Sequence, residues 1–363
     1  MNTEKGLRVA FLHGQCLDRS QWHSVIEGLT AAGMRYRMQA IDLLGHGEKR
    51  ERSPKTFDDF VDDAIKEIGP TAASPVLLVG HSLGAWVAAR WATAHPAGIA
   101  GLVLLAPALN TPPHFVEPFK ALEQSLRTQG TQALLDFIDG AREIWFPPAW
   151  AAENADQIEA VLDVARAQDA SAQADIMGVI LDAPDCSADL EAFPRPVRIV
   201  RGTADPTAST VTVRPDDHVV LEDVGHFVNL ERLGVVLETI QSCANLSITQ
   251  TILEMAWLNG HPELVTQYRH EEYQRRDSNF EGEHDGEQFV RWAKETLSVN
   301  GRFTKLTLKQ VDARPQKVSL GFELAHPTFE DLNIVATAEF HEGLCWRSEN
   351  TYAIPSGWTP VTP

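Results

Sequence analysis

Short apolar runs punctuate the first third of the chain at Leu7–Leu12, at the run ending in Ile41 and Asp42, and at Val76–Val79. Each is followed by a turn and a stretch of helical spacing, and that alternation predicts a parallel sheet with helices on its faces. Later runs at Leu102–Leu105, Val197–Val200 and Val219–Leu221 extend the expected doubly wound α/β sheet to about six strands. Between Pro107 and Phe193 the strand signal vanishes. Leu122, Leu126, Leu134, Leu135, Ile138, Val161, Leu162, Ile176 and Ile180 recur there at helical spacing, which predicts a helical cap over about residues 107–193.

After Cys243–Leu246 the pattern changes character. Helices are predicted from Ile248 to near Asn259, from Glu263 to about Tyr273, and from Gly286 to about Leu297. Alternation then takes over: Val318, Leu320, Phe322 and Leu324 share one face, and so do Ile334, Ala336, Ala338 and Phe340. The stretch His341-Glu342-Gly343 turns the chain into Leu344-Cys345-Trp346, so the last two strands read as a hairpin. Helices followed by a curled antiparallel sheet describe an α+β domain, and the expected division is 1–246 and 247–363.

Composition narrows the class. At 363 residues the chain has room for two or three domains, and 44% hydrophobic with 22% charged residues is ordinary for a folded protein. Lys and Arg total 31 against 50 Asp and Glu, a formal charge of −19. Such a surface repels phosphate backbones and anionic headgroups, so neither nucleic acid nor membrane is an expected partner. No apolar stretch reaches the ~18 residues of a membrane span. The chain opens without the charged and apolar segments of a secretory leader. Cys16, Cys186, Cys243 and Cys345 are widely spaced, with no CxxC pair and no disulfide framework. A cytoplasmic enzyme or binding protein is the expectation.

The chemistry is concentrated at Gly80-His81-Ser82-Leu83-Gly84, which follows the Val76–Val79 run and precedes the helix-forming Ala85–Arg90. Composition alone would produce about 0.07 Gly-x-Ser-x-Gly matches, and a strand-to-helix turn is the setting in which this motif exposes a nucleophilic serine. Gly80 and Gly84 are needed because a Cβ would collide with neighbouring backbone. The competing reading of Ser82 is a plain helix N-cap.

These residues resemble the α/β-hydrolase family over residues 1–246. The resemblance implies the order serine, acid, histidine, which matches Ser82, Gly202-Thr-Ala-Asp205-Pro206 and Val224-Gly-His226-Phe227. It also aligns Leu12-His13-Gly14-Gln15, followed by Trp22, with the oxyanion loop, implying the Gln15 and Leu83 amides as donors. Asp42-Leu-Leu-Gly-His46-Gly47 matches another family loop, read as loop-fixing. His13, His46, His81 and His218 compete with His226, and Asp205 has an alternative reading as an Asx-turn. Cys16 reads as a buried small residue rather than a second nucleophile. Trp145 and Trp150 either pack in a core or line the substrate cavity. The stretch 247–363 resembles the SnoaL-like, nuclear-transport-factor-2-like α+β cone in element order, in Tyr268 and Tyr273, and in the Phe340–Trp346 hairpin. Glu271, Asp277, His284 and His341 receive no role there, and dimerisation to a homodimer or covering of ligand ranks ahead of a second active site.

The implied activity is hydrolysis of a carboxylic ester or lactone of an apolar small molecule through a Ser-His-Asp acyl-enzyme, with no metal or organic cofactor. Thioester hydrolysis, carbon–carbon bond hydrolysis and acyl transfer or cyclisation use the same groups. Epoxide and haloalkane hydrolysis are disfavoured by a serine where those relatives carry aspartate. A non-catalytic small-molecule-binding protein is the alternative from a different class.

Overall fold

The computed structural model describes residues 5–207 and 217–361. Residues 1–4, on which the expectation of no secretory leader rests, lie outside that range. Two compact units emerge, one comprising Val9–Gly28 and Met38–Leu237, the other Met1–Arg8, Leu29–Arg37 and Glu238–Pro363.

In the first, strands β1 (Arg8–Leu12), β2 (Arg37–Ile41), β3 (Val76–His81), β4 (Ile99–Leu105), β5 (Val197–Gly202) and β6 (His218–Leu221) form a sheet of order β2-β1-β3-β4-β5-β6. Strands β3 to β6 run parallel. Every residue of β3 and β4 is buried, which is why both read as continuous apolar runs rather than alternating ones. Helices α1 (His23–Ala31), α2 (Phe57–Ile68) and α3 (Leu83–Ala94) connect the early strands. The strand order reverses between β1 and β3. In open α/β sheets, ligands bind at the carboxyl ends of the strands beside such a reversal. His13-Gly14-Gln15 follows β1 and Ser82 follows β3, so the topology brings both motifs to that point.

The expected cap is present between β4 and β5 as α4 (Pro113–Gln129), α5 (Thr131–Trp145), α6 (Pro148–Glu153), α7 (Ala155–Arg166), α8 (Ala170–Leu181) and α9 (Ser187–Glu191). Leu126, Leu134, Ile138, Phe146, Ile158 and Leu162 form its core, and each such buried side chain stabilises by roughly 1.5–3 kcal/mol. After β6 come α10 (Val228–Glu231) and α11 (Leu233–Leu253). The residue-246 boundary therefore falls inside a continuous helix, one that also contains the Leu237/Glu238 division between units.

The second unit holds β7 (Arg269–Asp277), α12 (Gly286–Asn300), β8 (Lys305–Ala313), β9 (Lys317–Ala325), β10 (Leu332–His341) and β11 (Leu344–Tyr352). Its sheet has the order β7-β11-β10-β9-β8. Strands β8 to β11 pair antiparallel, whereas β7 lies parallel to β11, so the sheet is mixed rather than antiparallel. The expected β10–β11 hairpin forms, and its two turn residues, Glu342 and Gly343, have φ of 53° and 74°, the positive values that suit the twist of flanking strands. The helix expected from Glu263 to Tyr273 is a correction: a 3₁₀ segment covers Pro262–Tyr268 and β7 follows. The buried face of β7 carries Arg269, Tyr273, Arg275 and Asp277, whose polarity masks the two-residue period. Strand β8 carries no clear alternation in the sequence, because it is an edge strand with no fully buried position.

Two early chain segments belong to this unit. The Gly6 amide donates to the Gln267 carbonyl at 2.8 Å, the Arg35 amide to the Glu342 carbonyl at 2.8 Å, and the Arg35 guanidinium grips the Glu271 carboxylate through two 3.0 Å bonds.

Candidate active site

Ser82 sits at the junction of β3 and α3 with φ 50° and ψ −113°, a conformation strained for a residue with a Cβ. The surrounding backbone enforces it. A Cβ on Gly80 would lie 2.4 Å from the Gly84 carbonyl oxygen, and one on Gly84 would lie 2.1 Å from that of Leu12. The steric reading of both glycines therefore holds. The Ser82 side chain makes no N-cap bond, which removes the helix-cap reading.

His226 Nδ1 lies 2.8 Å from Asp205 Oδ2. Both residues are more than nine-tenths buried. The other oxygen, Oδ1, accepts from the Thr207 amide at 2.9 Å and from its hydroxyl at 2.7 Å. The Asx-turn and the carboxylate–imidazole pair thus coexist, one on each oxygen. Burial by itself would raise the Asp205 pKa, but the adjacent His226 and the hydrogen bonds from His226 and Thr207 outweigh it and hold the carboxyl down at about 2. Thr207 Oγ1 also lies 3.0 Å from His226 Nδ1. No spacing signal pointed to Thr207, since its role depends on the loop conformation after Asp205.

The rival histidines are committed elsewhere. His13 Nδ1 donates to the Gly14 carbonyl at 2.8 Å and its Nε2 accepts from the Leu43 amide at 2.9 Å. His46 Nδ1 donates to the Leu44 carbonyl at 3.0 Å, and its Nε2 accepts from the Cys16 amide at 3.2 Å. Burial depresses the pKa of both, His46 the more strongly, so they act as neutral braces of their loops. His218 is on β6 and does not line the cavity described below. Asp42 accepts the Arg19 and Glu48 amides at 2.8 and 2.9 Å, in keeping with a loop-fixing role. Burial pushes the Cys16 thiol up to about 12, which leaves it inert.

Ser82, His226, Gln15, Leu83 and Thr207 border one cavity, with room of about 160 Å³ for solvent-sized groups. Leu83 opens α3, so its amide is one of those that have no partner within the helix. The amides flanking Gln15 are engaged, Gly14 with Gln21 Oε1 at 2.9 Å and Cys16 with His46. Phe115, Phe119, Phe137, Trp145, Met177 and Ile180 supply apolar walls. Trp150, expected beside Trp145, is a correction: it stacks on Phe146 with ring centroids 5.6 Å apart and is absent from the cavity wall, because it falls on the separate short helix α6.

In the second unit, Asp277 is bound bidentately by Arg275 at 2.6 and 2.9 Å, and the His284 backbone pairs with that of Arg275. His270, His341 and Glu342 place one ligand atom each within 4.8 Å of one another, a spacing that could hold a metal ion. Arg35 already lies 3.7 Å from the Glu342 carboxylate, and His270 Nδ1 accepts the Glu272 amide. Among the described residues no helix is long and apolar enough to cross a membrane.

The sequence signature of the alpha/beta hydrolase family matches residues 9–239. Lipase LipV of Mycobacterium tuberculosis is 32% identical over 161 residues, which cover 43% of this chain and 56% of that protein, little more than half its length. The 2-succinyl-6-hydroxy-2,4-cyclohexadiene-1-carboxylate synthase of Enterobacter sp. strain 638 is 26% identical over 250 residues, covering 66% of this chain and 92% of that protein. Among solved structures, the enol-lactonase from Burkholderia xenovorans LB400 superposes with a TM-score of 0.56 at 20% identity, covering 65% of this chain and 90% of the other. At that identity the likeness concerns the fold alone.

Proposed function

This chain belongs to the alpha/beta hydrolase family, and from that premise we propose that it is a serine hydrolase cleaving a carboxylic ester or lactone of an apolar small molecule. The observation that carries the reading is His226, paired with Asp205 at 2.8 Å, on the same cavity as the strained Ser82. With Nδ1–H donating to Asp205, the remaining His226 nitrogen is left to accept a proton from Ser82 Oγ as that oxygen attacks the ester carbonyl carbon. Asp205 holds the tautomer and stabilises the imidazolium. The Gln15 and Leu83 amides stabilise the tetrahedral oxyanion. The carbon–oxygen bond to the alcohol then breaks, and His226 gives its proton to the departing oxygen. Water, deprotonated by His226, releases the acid and restores Ser82.

Aromatic walls favour an apolar acyl or alcohol group over a highly charged one. A reaction other than ester hydrolysis by the same residues, such as carbon–carbon hydrolysis or acyl transfer, is the second reading, kept because the Enterobacter protein matched over 92% of its length is named a synthase rather than an esterase. A cytoplasmic location is part of the proposal, supported by four buried cysteines free of disulfides. So is a SnoaL-like second unit that covers ligand or joins two copies, supported by the order of α12 and then β8–β11. An organophosphonate panel read by intact-mass and peptide mass spectrometry tests the reading. One phosphonyl adduct on Ser82 is expected, and an unlabelled protein that turns over no ester would overturn it.

A further inference from the structure

We propose that His81, the residue immediately before the nucleophile, is a positioning residue that holds the main chain of His226 through its imidazole. His81 Nε2 lies 2.9 Å from the His226 carbonyl oxygen. A carbonyl only accepts, so Nε2 carries the proton. His81 Nδ1 is buried and has no hydrogen-bond partner among the described residues, so no second bond competes with this assignment of the proton to Nε2. The two rings pack with centroids 4.7 Å apart, Phe227 packs against both at 5.2 Å from His81 and 5.8 Å from His226, and His81 is 1% exposed. Gly14 reaches the remaining space, where a Cβ would stand 2.7 Å from His81 Nδ1. Burial first, then the neighbouring His226, depresses the His81 pKa to about 3, so the ring stays a neutral donor throughout the working range of a hydrolase.

The partner bond completes the argument. The His226 amide donates to the Trp145 carbonyl at 2.9 Å, at the last residue of α5. Both main-chain polar groups of His226 are therefore tied, one by the residue before Ser82 and one by the cap, while Asp205 ties Nδ1. What remains free is the nitrogen that must meet Ser82. Because misplacement of a catalytic group by about 1 Å can cost on the order of 10²-fold, the His81 bond acts on turnover rather than on substrate affinity. It makes the serine's own strand set the position of the base.

The proposal rests on the serine-hydrolase reading, and the test separates the two. His81→Gln keeps an N–H donor at similar reach; His81→Phe keeps ring volume and removes the donor. We expect His81→Phe to lower kcat and the rate of phosphonate labelling by roughly 30- to 100-fold with KM within about threefold. His81→Gln should recover activity to within about fivefold of the wild type. The low-field proton resonance of His226 Nδ1–H gives a readout independent of turnover. It should persist in His81→Gln and broaden or shift in His81→Phe. Should His81→Phe fail to fold, His81→Asn, whose amide falls short of the carbonyl, takes its place. Equal loss in the Gln and donor-less variants, or wild-type kcat and an unchanged resonance without the donor, would overturn the role of His81. A wild-type protein that resists labelling overturns the hydrolase reading instead, and the resonance comparison still decides for or against His81.

Discussion

Each compact unit encloses an aromatic-walled cavity, and buried charge serves opposite ends in the two. In the first, the Asp205 carboxylate engages only one nitrogen of His226, and His226 borders a cavity of about 160 Å³ beside a strained serine. In the second, Arg275 and Asp277 satisfy one another bidentately, and Arg275 faces a tighter space of about 40 Å³ walled by Trp257, Trp292, Phe303 and Trp358. Among the described residues that line it there is no serine, cysteine or histidine. A histidine with one nitrogen free beside a cavity can move a proton, whereas an Arg–Asp pair that satisfies its own charge serves to hold a fold. The Asn350 amide nitrogen and Thr296 hydroxyl, both buried there without a hydrogen-bond partner among the described residues, supply polarity but no base.

The contrast breaks most visibly at the nucleophile. Ser82→Ala should lower ester turnover by roughly 10⁶-fold with folding unchanged, as for other triad nucleophiles. Activity near wild type in the pure variant would place the chemistry elsewhere, the second cavity included.

Asp205→Asn should cost about 10⁴-fold in kcat by removing the anion that orients His226. It also tests linkage. The carboxyl lies at about 2 in the folded protein against an ordinary 3.8, so its ionised form stabilises folding by roughly 2 kcal/mol. A depressed carboxyl contributes that stability above about pH 4 and loses it as pH falls towards 2. The difference in unfolding free energy between wild type and Asp205→Asn, measured in urea, should therefore shrink across that window. A pH-independent difference would mean that the carboxylate is not held as described.

In the second unit the same operation should strike stability. Asp277→Ala leaves the buried Arg275 charge unpaired and should cost about 3–5 kcal/mol. Under conditions where the variant remains folded, kcat should stay within about threefold of wild type. A kcat collapse in folded protein would show that this ion pair takes part in turnover after all.

The smallest effect separates two tryptophans. Trp145→Ala removes a cavity wall and should raise KM for apolar esters by roughly 10-fold, the range of one lost apolar contact surface. Trp150→Ala, which loses stacking on Phe146 and packing against the cap core, should leave KM unchanged within about twofold. Equal KM changes would return Trp150 to the cavity wall.

Several parts of this protein were legible in one dimension because their causes are local. The parallel-strand runs of β3 and β4 are apolar throughout since both faces are covered. The elbow at Gly80–Gly84 is legible because only glycine tolerates backbone atoms at 2.1–2.4 Å, and Asp205 and His226 follow strands in the order that the elbow implies. Other parts needed distant partners. Strand β7 hides its period behind Arg269, Arg275 and Asp277, buried because Arg275 and Asp277 pair with each other and both guanidinium groups stack on Phe289 of α12. Thr207 and His81 gained their roles only when the Asp205 and His226 loops came to rest against them. The second unit recruits Met1–Arg8 and Leu29–Arg37, segments bound by backbone pairing to Gln267 and Glu342 that no linear periodicity records. Local sterics and hydropathy determined the elements and the nucleophile; long-range pairing decided which buried polar groups could remain, and with them the setting of the base.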